Sequence, residues 1–468
     1  MTDQRDGLQV PPDVLDLDMD AFREFGYWVV DRTVEHLASL RERPAVRTGD
    51  AAELEQILGG EVPRAGASLA EGLALLADVA LENQQHGDHP RYFARVPGPS
   101  SQVAVLGEWM ATGMQSIASS WGGGSGTATL EVVVLDWLRD ALGLAPTSEG
   151  VLLSGGSIAS TTGLLVARAE NGEGVLYLSD QTHSSIGRGA LAVGWPAERV
   201  RTLPTDALGA LMPDVLEAAI TSDLAEGDRP AVAVATAGTT NTGAVDDLPA
   251  FGEICRRHGL WLHVDGAYGG PAALAPDRNG IHGLECADSF VLDPHKWLFQ
   301  PYDVGCLWVC EPGALERTFA MHPEYLRDAQ GGRVDLHNRS LELTRRSRAA
   351  KLWLTLRTYG VDALAAAVQR GVALAEEAQR LVEREARLEV VTPARLGVLT
   401  FAVKGADDIV HAGVTEAVNA DGYAAITGTV VGGRSVLRLC TINPRTTVAD
   451  LEGTVSLVAR VAGAGVAP

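Results

Sequence analysis

Between residues 90 and 350 the chain alternates short, near-continuous apolar runs with longer stretches whose apolar residues recur every three or four positions. The runs fall at 151–154, 175–179, 232–237, 261–265, 289–293 and 305–310. Apolar runs of this length, separated by helical patterns, predict the strands of a mainly parallel sheet covered by helices on both faces. Ahead of them, residues 13 to about 85 read as helical. Phe22, Phe25, Val29 and Thr33 recur at helical spacing after the acidic start Asp16-Leu-Asp-Met-Asp, and a second helix is expected after Ser68. An amphipathic pair of this kind, with Tyr27 and Trp28 on part of its face, cannot bury itself alone and is expected to pack on a second subunit. From about residue 350, helices at 349–359 and 361–385 precede further strands and a final helix. The pattern predicts an α/β protein in three parts: an N-terminal helical segment (1–88), a large domain (89–350) and a small C-terminal α+β domain (351–468).

Composition narrows the class. The 468 residues are 46% hydrophobic and 21% charged, enough to bury a large core. No apolar run is long enough to span a bilayer, and the polar start Met1-Thr-Asp-Gln-Arg-Asp does not read as a signal peptide. A formal net charge of −22 argues against nucleic acid or an anionic membrane as a partner. Cysteines at 255, 286, 306, 310 and 440 form no Cys-x-x-Cys pair, so neither a disulfide framework nor a metal site is expected, and a reducing cytoplasm is the expected setting.

Of the 38 basic side chains only three are lysine: Lys296, Lys351 and Lys404. A guanidinium is always protonated, whereas a desolvated ammonium can be brought toward neutrality and attack a carbonyl. Lys296 follows an apolar strand in Asp293-Pro-His-Lys-Trp, the setting such an amine needs; Lys351, in a basic helical stretch, and Lys404 read as ordinary. Trp261-Leu-His-Val-Asp265 puts a carboxylate at the end of another strand, where open parallel sheets bind ligands. A buried carboxylate calls for a cationic partner, and a protonated pyridine nitrogen is one. Ser154-Gly-Gly-Ser157 follows a strand and opens a helix, a cradle suited to phosphate, although it lacks the Gly-Lys-Ser/Thr of a nucleotide loop. Asp180-Gln-Thr-His183 places a histidine just past a further strand. The four segments together supply a phosphate cradle, a stacking ring, a pyridinium partner and a Schiff-base lysine.

Along nearly its whole length the chain resembles the group II pyridoxal-phosphate-dependent decarboxylases, the family of aromatic amino acid decarboxylase. The resemblance is carried by His89-Pro-Arg-Tyr-Phe-Ala, Leu130-Glu-Val-Val-Val-Leu-Asp-Trp-Leu, Val151-Leu-Leu-Ser-Gly-Gly-Ser, Ser179-Asp-Gln-Thr-His-Ser-Ser, Ala235-Thr-Ala-Gly-Thr-Thr, His263-Val-Asp-Gly-Ala-Tyr, Asp293-Pro-His-Lys-Trp and Asn443-Pro-Arg-Thr-Thr. It implies the fold type I of PLP-dependent transferases, a homodimer with active sites at the subunit interface, and pyridoxal 5'-phosphate as cofactor for an amino acid substrate. It also implies roles. Lys296 would form the Schiff base, Asp265 pair with the pyridinium, His183 stack over the ring and Ala267 pack beneath it. Gly156, Ser157 and His295 would hold the phosphate, and Thr236 would lie beside the cofactor's phenolic oxygen or the substrate carboxylate.

Two departures from the family pattern bear on the reaction. In the aromatic decarboxylases a mobile loop carries a tyrosine that protonates the reacting carbon once carbon dioxide has left. Here that loop runs from Glu324-Tyr-Leu-Arg to Leu343-Thr-Arg-Arg, and counting back from Arg345-Arg346 puts Leu336 at the tyrosine's place. Leucine has no proton to give, though His337 or Asp335 stands one residue away. Where the aromatic decarboxylases have two aromatic pocket residues, this chain has Arg95 and Ser119, which removes stacking area and adds donors. Arg95 could instead pair with Glu131. The expected activity is decarboxylation of an L-amino acid with a polar or bulky side chain. The alternative is oxidative decarboxylation-deamination, or β-elimination on an amino acid or cysteine S-conjugate in a secondary-metabolite pathway.

Overall fold

The computed structural model describes residues 16–321 and 333–464. A seven-stranded sheet organises the large domain. Its strands in chain order are β1 (Glu149–Leu153), β2 (Val175–Ser179), β3 (Val200–Leu203), β4 (Pro230–Thr236), β5 (Trp261–Asp265), β6 (Ser289–Leu292) and β7 (Gly305–Val309), arranged β1-β7-β6-β5-β4-β2-β3. The β2–β3, β2–β4, β4–β5 and β5–β6 pairs are parallel, and β7 runs antiparallel between β6 and β1. All five residues of β2 and of β5 are buried, as expected of strands covered on both faces. One face packs on the helices Gly156–Asn171 and Ser184–Ala192 through Leu164, Val166, Ile186 and Ala190. The other packs on Trp121–Leu142, Pro213–Glu226 and Leu248–His258 through Leu138, Ile220 and Phe251.

The small domain carries an antiparallel sheet of β8 (Leu388–Arg395), β9 (Val398–Val403), β10 (Thr427–Val431) and β11 (Arg434–Cys440), in the order β10-β11-β9-β8. The helix Ala349–Arg384 joins the two domains and turns at Gly360, whose φ of 77° is open to glycine and strained for other residues. Its residues as far as Val368 belong to the large core, whereas Leu374, Ala378 and Val382 belong to the small one. The change of core therefore falls within this helix. Phe93, near the start of the segment read as the large domain, is likewise buried in the small-domain core.

The helix Met19–Ala38 starts at Asp18, whose side chain accepts the Asp20 N–H, and buries none of its residues; Phe22 and Tyr27 are both more than 60% exposed. Ser68 caps the helix Leu69–Leu75, as its position predicts. No helix among the described residues is long and apolar enough to cross a membrane.

Candidate active site

Strand ends converge on a cavity of about 320 Å³. β1 leads into Ser154 and Gly155, whose φ of 147° turns the chain directly into the helix Gly156–Asn171. A Cβ on Gly155 would stand 3.0 Å from the His295 ring, and one on Gly156 would stand 2.8 Å from Asp293 Oδ2. Those glycines let the backbone N–H groups of a 16-residue helix face the cavity, an arrangement that favours an anion. β2 delivers His183, which caps the helix Ser184–Ala192. Its Nδ1 accepts the Ser185 N–H at 3.3 Å and lies 2.8 Å from Ser185 Oγ, while the ring stays open to solvent on one side. β4 and β5 end side by side, with Thr236 and Asp265 in register.

Asp265 is 6% exposed, and its Oδ1 accepts the Ala267 N–H at 3.0 Å. No cation lies within 4.0 Å of it among the described residues, so its charge is left for a ligand to match. The Thr236 N–H donates to Asp246 Oδ2 at 2.7 Å, yet its buried Oγ1 has no partner. Burial raises Asp246 to about 7, against the two N–H groups that stabilise its carboxylate. Two residues before Asp265, His263 is fully buried with Nδ1 2.8 Å from Ser289 Oγ, and burial pushes its imidazole down to about 4.

Lys296 sits in the short helix Pro294–Trp297 that follows β6. The expectation that burial brings this amine toward neutrality is not met. Burial does press its pKa down, but Asp293 Oδ2 at 2.8 Å, helped by Asp265 and Tyr302, outweighs it and holds the ammonium above its ordinary range. The same oxygen is placed to take the proton that the ammonium must shed before it attacks a carbonyl. Trp297 fixes the lysine's position: it is fully buried, stacked on Tyr268 at 5.4 Å, and close against Gly371 and Gly397. Truncating such a side chain typically costs about 3–5 kcal/mol. His295 accepts the Val304 N–H at Nδ1 (3.2 Å), which leaves the proton on Nε2, 3.6 Å from Asp293 Oδ2.

Eight of the predicted residues are thus gathered around one cavity: Gly156, Ser157, His183, Thr236, Asp265, Ala267, His295 and Lys296. Arg95, Ser119, Leu336 and His337 are not among its lining in the single chain. Leu336 is fully buried against Ala118 and Ala128. His337 is 6% exposed, and both its N–H and its Nδ1 meet Ser119 O, at 2.8 and 3.1 Å. Ser119 Oγ accepts the Arg345 N–H at 2.9 Å. Glu131 does not pair with Arg95. Its Oε1 lies 2.6 Å from Arg345 Nη2, both side chains are fully buried, and the guanidinium also reaches the Ala118 and Leu152 carbonyls. Arg345 wins because it approaches Glu131 from inside the core, whereas Arg95 lies on an exposed turn with φ 50°. The turn is held by Arg438, which donates to the Arg95 carbonyl and, at 2.8 Å, to the carbonyl of cavity-lining Thr240.

Sequence reasoning missed Asp293, although it quoted the motif that contains it; the i,i+3 spacing to Lys296 was the available signal. It also read Lys351 as ordinary, and Lys351 is fully buried. Glu324 to Arg327, at the start of the predicted loop, lie outside the described residues.

An anion-ready helix start, an unmatched carboxylate, an unpartnered threonine hydroxyl and an amine around one cavity fit pyridoxal phosphate, group for group. The family described as "Pyridoxal-dependent decarboxylase conserved domain" matches residues 76–404. The aromatic-L-amino-acid decarboxylase of Bacillus atrophaeus is 36% identical, over 93% of this chain and 94% of its own. A phenylacetaldehyde synthase of a Rosa hybrid cultivar is 33% identical, over 90% of each. The solved structure of Oryza sativa TDC with PLP and tryptamine superposes with a TM-score of 0.92 at 28% identity, covering 98% of this chain and all of that one.

Proposed function

The chain belongs to the pyridoxal-dependent decarboxylase family, a PLP-dependent carboxy-lyase of amino acids, and from that premise we propose that it decarboxylates an L-amino acid with a polar or bulky side chain, acting as a homodimer. The bound cofactor supplies an electron sink for the pair left when the bond from Cα to the carboxylate breaks. Lys296 would tether it covalently, with Asp293 Oδ2, 2.8 Å from the amine, placed to take the proton the amine gives up. Asp265 would keep a proton on the ring nitrogen. His183 and Ala267, both on the cavity lining, would cover the two faces of the ring. The N–H groups at Gly156 and Ser157 would hold the phosphate together with His295 Nε2, and the unpartnered Thr236 Oγ1 would offer a further hydrogen bond.

The observation that carries the substrate class is Arg95. Its guanidinium has no ion-pair partner among the described residues, and its turn is tied through Arg438 to the cavity wall at Thr240. A free cation on that turn, outside the lining of the single chain, would favour a polar or anionic side chain over an unsubstituted ring. The homodimer is supported by the helix Met19–Ala38, which buries none of its residues by itself.

Leu336 favours a second reading. Without a donor at that place, oxygen-dependent deamination or β-elimination competes with simple protonation, and two curated relatives of this chain are phenylacetaldehyde synthases. Incubation with a panel of L-amino acids, scoring carbon dioxide, amine, ammonia and peroxide, separates the two. Stoichiometric amine and carbon dioxide from a polar amino acid supports decarboxylation. Ammonia with an aldehyde or a keto acid supports the second reading, and turnover of aromatic amino acids alone overturns the assignment to Arg95.

A further inference from the structure

A buried ammonium is costly unless each of its N–H groups meets an acceptor. Lys351, in the first turn of the helix Ala349–Arg384, is fully buried and donates to two backbone carbonyls, Pro301 O at 2.8 Å and Asp303 O at 3.1 Å, with Glu108 Oε2 as an ion-pair partner at 3.1 Å. Burial, then Arg346 and Arg348, press its pKa down to about 7. The helix Gln102–Gly113 closes over it at Gly107, where a Cβ would stand 2.8 Å from Lys351 Cα. Arg348 adds a contact to Asp303 Oδ1 at 3.1 Å, and Thr355 donates to Gln300 Oε1 at 3.4 Å. Arg348, just ahead of the helix, and Lys351 and Thr355 within it thus clip the segment 300–303, and of the three only Lys351 grips its backbone.

That segment runs directly into the cofactor site. The next residue, Val304, donates its N–H to His295 Nδ1, and the Tyr302 ring packs on the His295 ring at 5.0 Å between centroids. An imidazole that accepts at Nδ1 carries its proton on Nε2. We propose that Lys351 is a positioning residue for the phosphate end of the cofactor site: by holding the Pro301 and Asp303 carbonyls it fixes Val304, and through Val304 the tautomer and orientation of His295. The proposal rests on the cofactor reading given above. It explains why a chain with almost no lysine keeps one where an arginine would have to bury a larger, planar group between two carbonyls and a carboxylate.

The test is binding of pyridoxal 5'-phosphate and of unphosphorylated pyridoxal to the apoprotein, followed by absorbance, for wild type, Lys351→Met, His295→Asn and the double variant. Lys351→Met is expected to weaken the phosphorylated ligand about tenfold, the scale seen when an outer partner stops orienting a ligating histidine, and to leave pyridoxal unchanged. Added to His295→Asn, it is expected to cost nothing further, because the two act through one ring. Equal weakening of both ligands, or full additivity in the double variant, shows a merely structural lysine and overturns the proposal. A His295→Asn protein with an unchanged preference for the phosphorylated ligand overturns the cofactor reading at His295 and this proposal with it. If the preference falls for His295→Asn but not for Lys351→Met, only the proposal fails. Should methionine prevent folding, Lys351→Gln retains donors for the carbonyls and is expected to show a smaller loss, still confined to the phosphorylated ligand; a loss shared by both ligands overturns the proposal there too.

Discussion

Replacing Asp265 by asparagine changes charge and almost nothing else. The amide keeps an oxygen for the Ala267 N–H, now 3.0 Å away, and has nearly the same volume. No cation within 4.0 Å among the described residues depends on the carboxylate, so the apoprotein should keep its fold, with stability within about 1 kcal/mol of wild type. What is lost is attraction for a cationic ring nitrogen. At an effective dielectric of about 20, two unit charges about 4 Å apart attract by roughly 4 kcal/mol, and each 1.36 kcal/mol on a barrier is about tenfold in rate. The expected loss of turnover is therefore about 10²–10³-fold or more, the range found when a group that stabilises developing charge is removed. Thermal unfolding of the apoprotein and carbon dioxide release by the reconstituted enzyme give the two halves. A variant that unfolds many degrees early, or one that turns over at near the normal rate, would show that Asp265 holds the strand end together and does not tune the cofactor.

Three further outcomes are expected. Glu131→Ala removes the closer and fully buried of the two carboxylates beside the Arg345 guanidinium, leaving Glu342 Oε2 at 3.7 Å, and breaking such a buried pair typically costs up to about 3–5 kcal/mol; denaturant unfolding that shifts by less than about 1 kcal/mol refutes the pair's importance. His89 accepts the Arg91 N–H at Nδ1, and its burial lowers the imidazole from 6.5 to about 4. The unfolded chain therefore binds the extra proton between those values, so stability falls as pH drops from about 6.5 to 4, by up to roughly 3 kcal/mol; His89→Gln should flatten that slope, and an unchanged slope excludes His89 as its source. Leu336→Tyr should overpack the nook against Ala118 and Ala128 at a cost of about 1–3 kcal/mol. It should also raise the ratio of amine to deaminated product, whereas an unchanged ratio removes Leu336 from the donor's place.

The strands that build the site were legible because parallel strands buried on both faces are written as unbroken apolar runs, and β2 and β5 match their runs residue for residue. β3 was not legible. It is an edge strand of four residues, Val-Arg-Thr-Leu, with only Leu203 buried, so it leaves no apolar run. The residues on the cavity were readable from strand-end motifs, since each is placed by a single strand and the turn that follows. Partners that meet across the fold left no such trace. Arg345 reaches Glu131 over 214 positions, and Lys351 reaches Pro301 over 50. Local context made Lys351 look like one more surface cation in a basic helix, and only the packing of the helix Gln102–Gly113 over it shows otherwise.

The most direct test is to find which lysine carries the cofactor. Borohydride reduction of the yellow holoenzyme followed by proteolysis and mass analysis has three possible positive answers, because the chain has only three lysines. Lys351 is fully buried away from the cavity lining, and Lys404 donates to Ala386 O at 2.9 Å at the edge of the small domain. The expected result is a single reduced adduct on the peptide containing Lys296, absent from Lys296→Ala along with the long-wavelength absorption and turnover. An adduct on Lys351 or Lys404, or one that persists in Lys296→Ala, would contradict the assignment of the site.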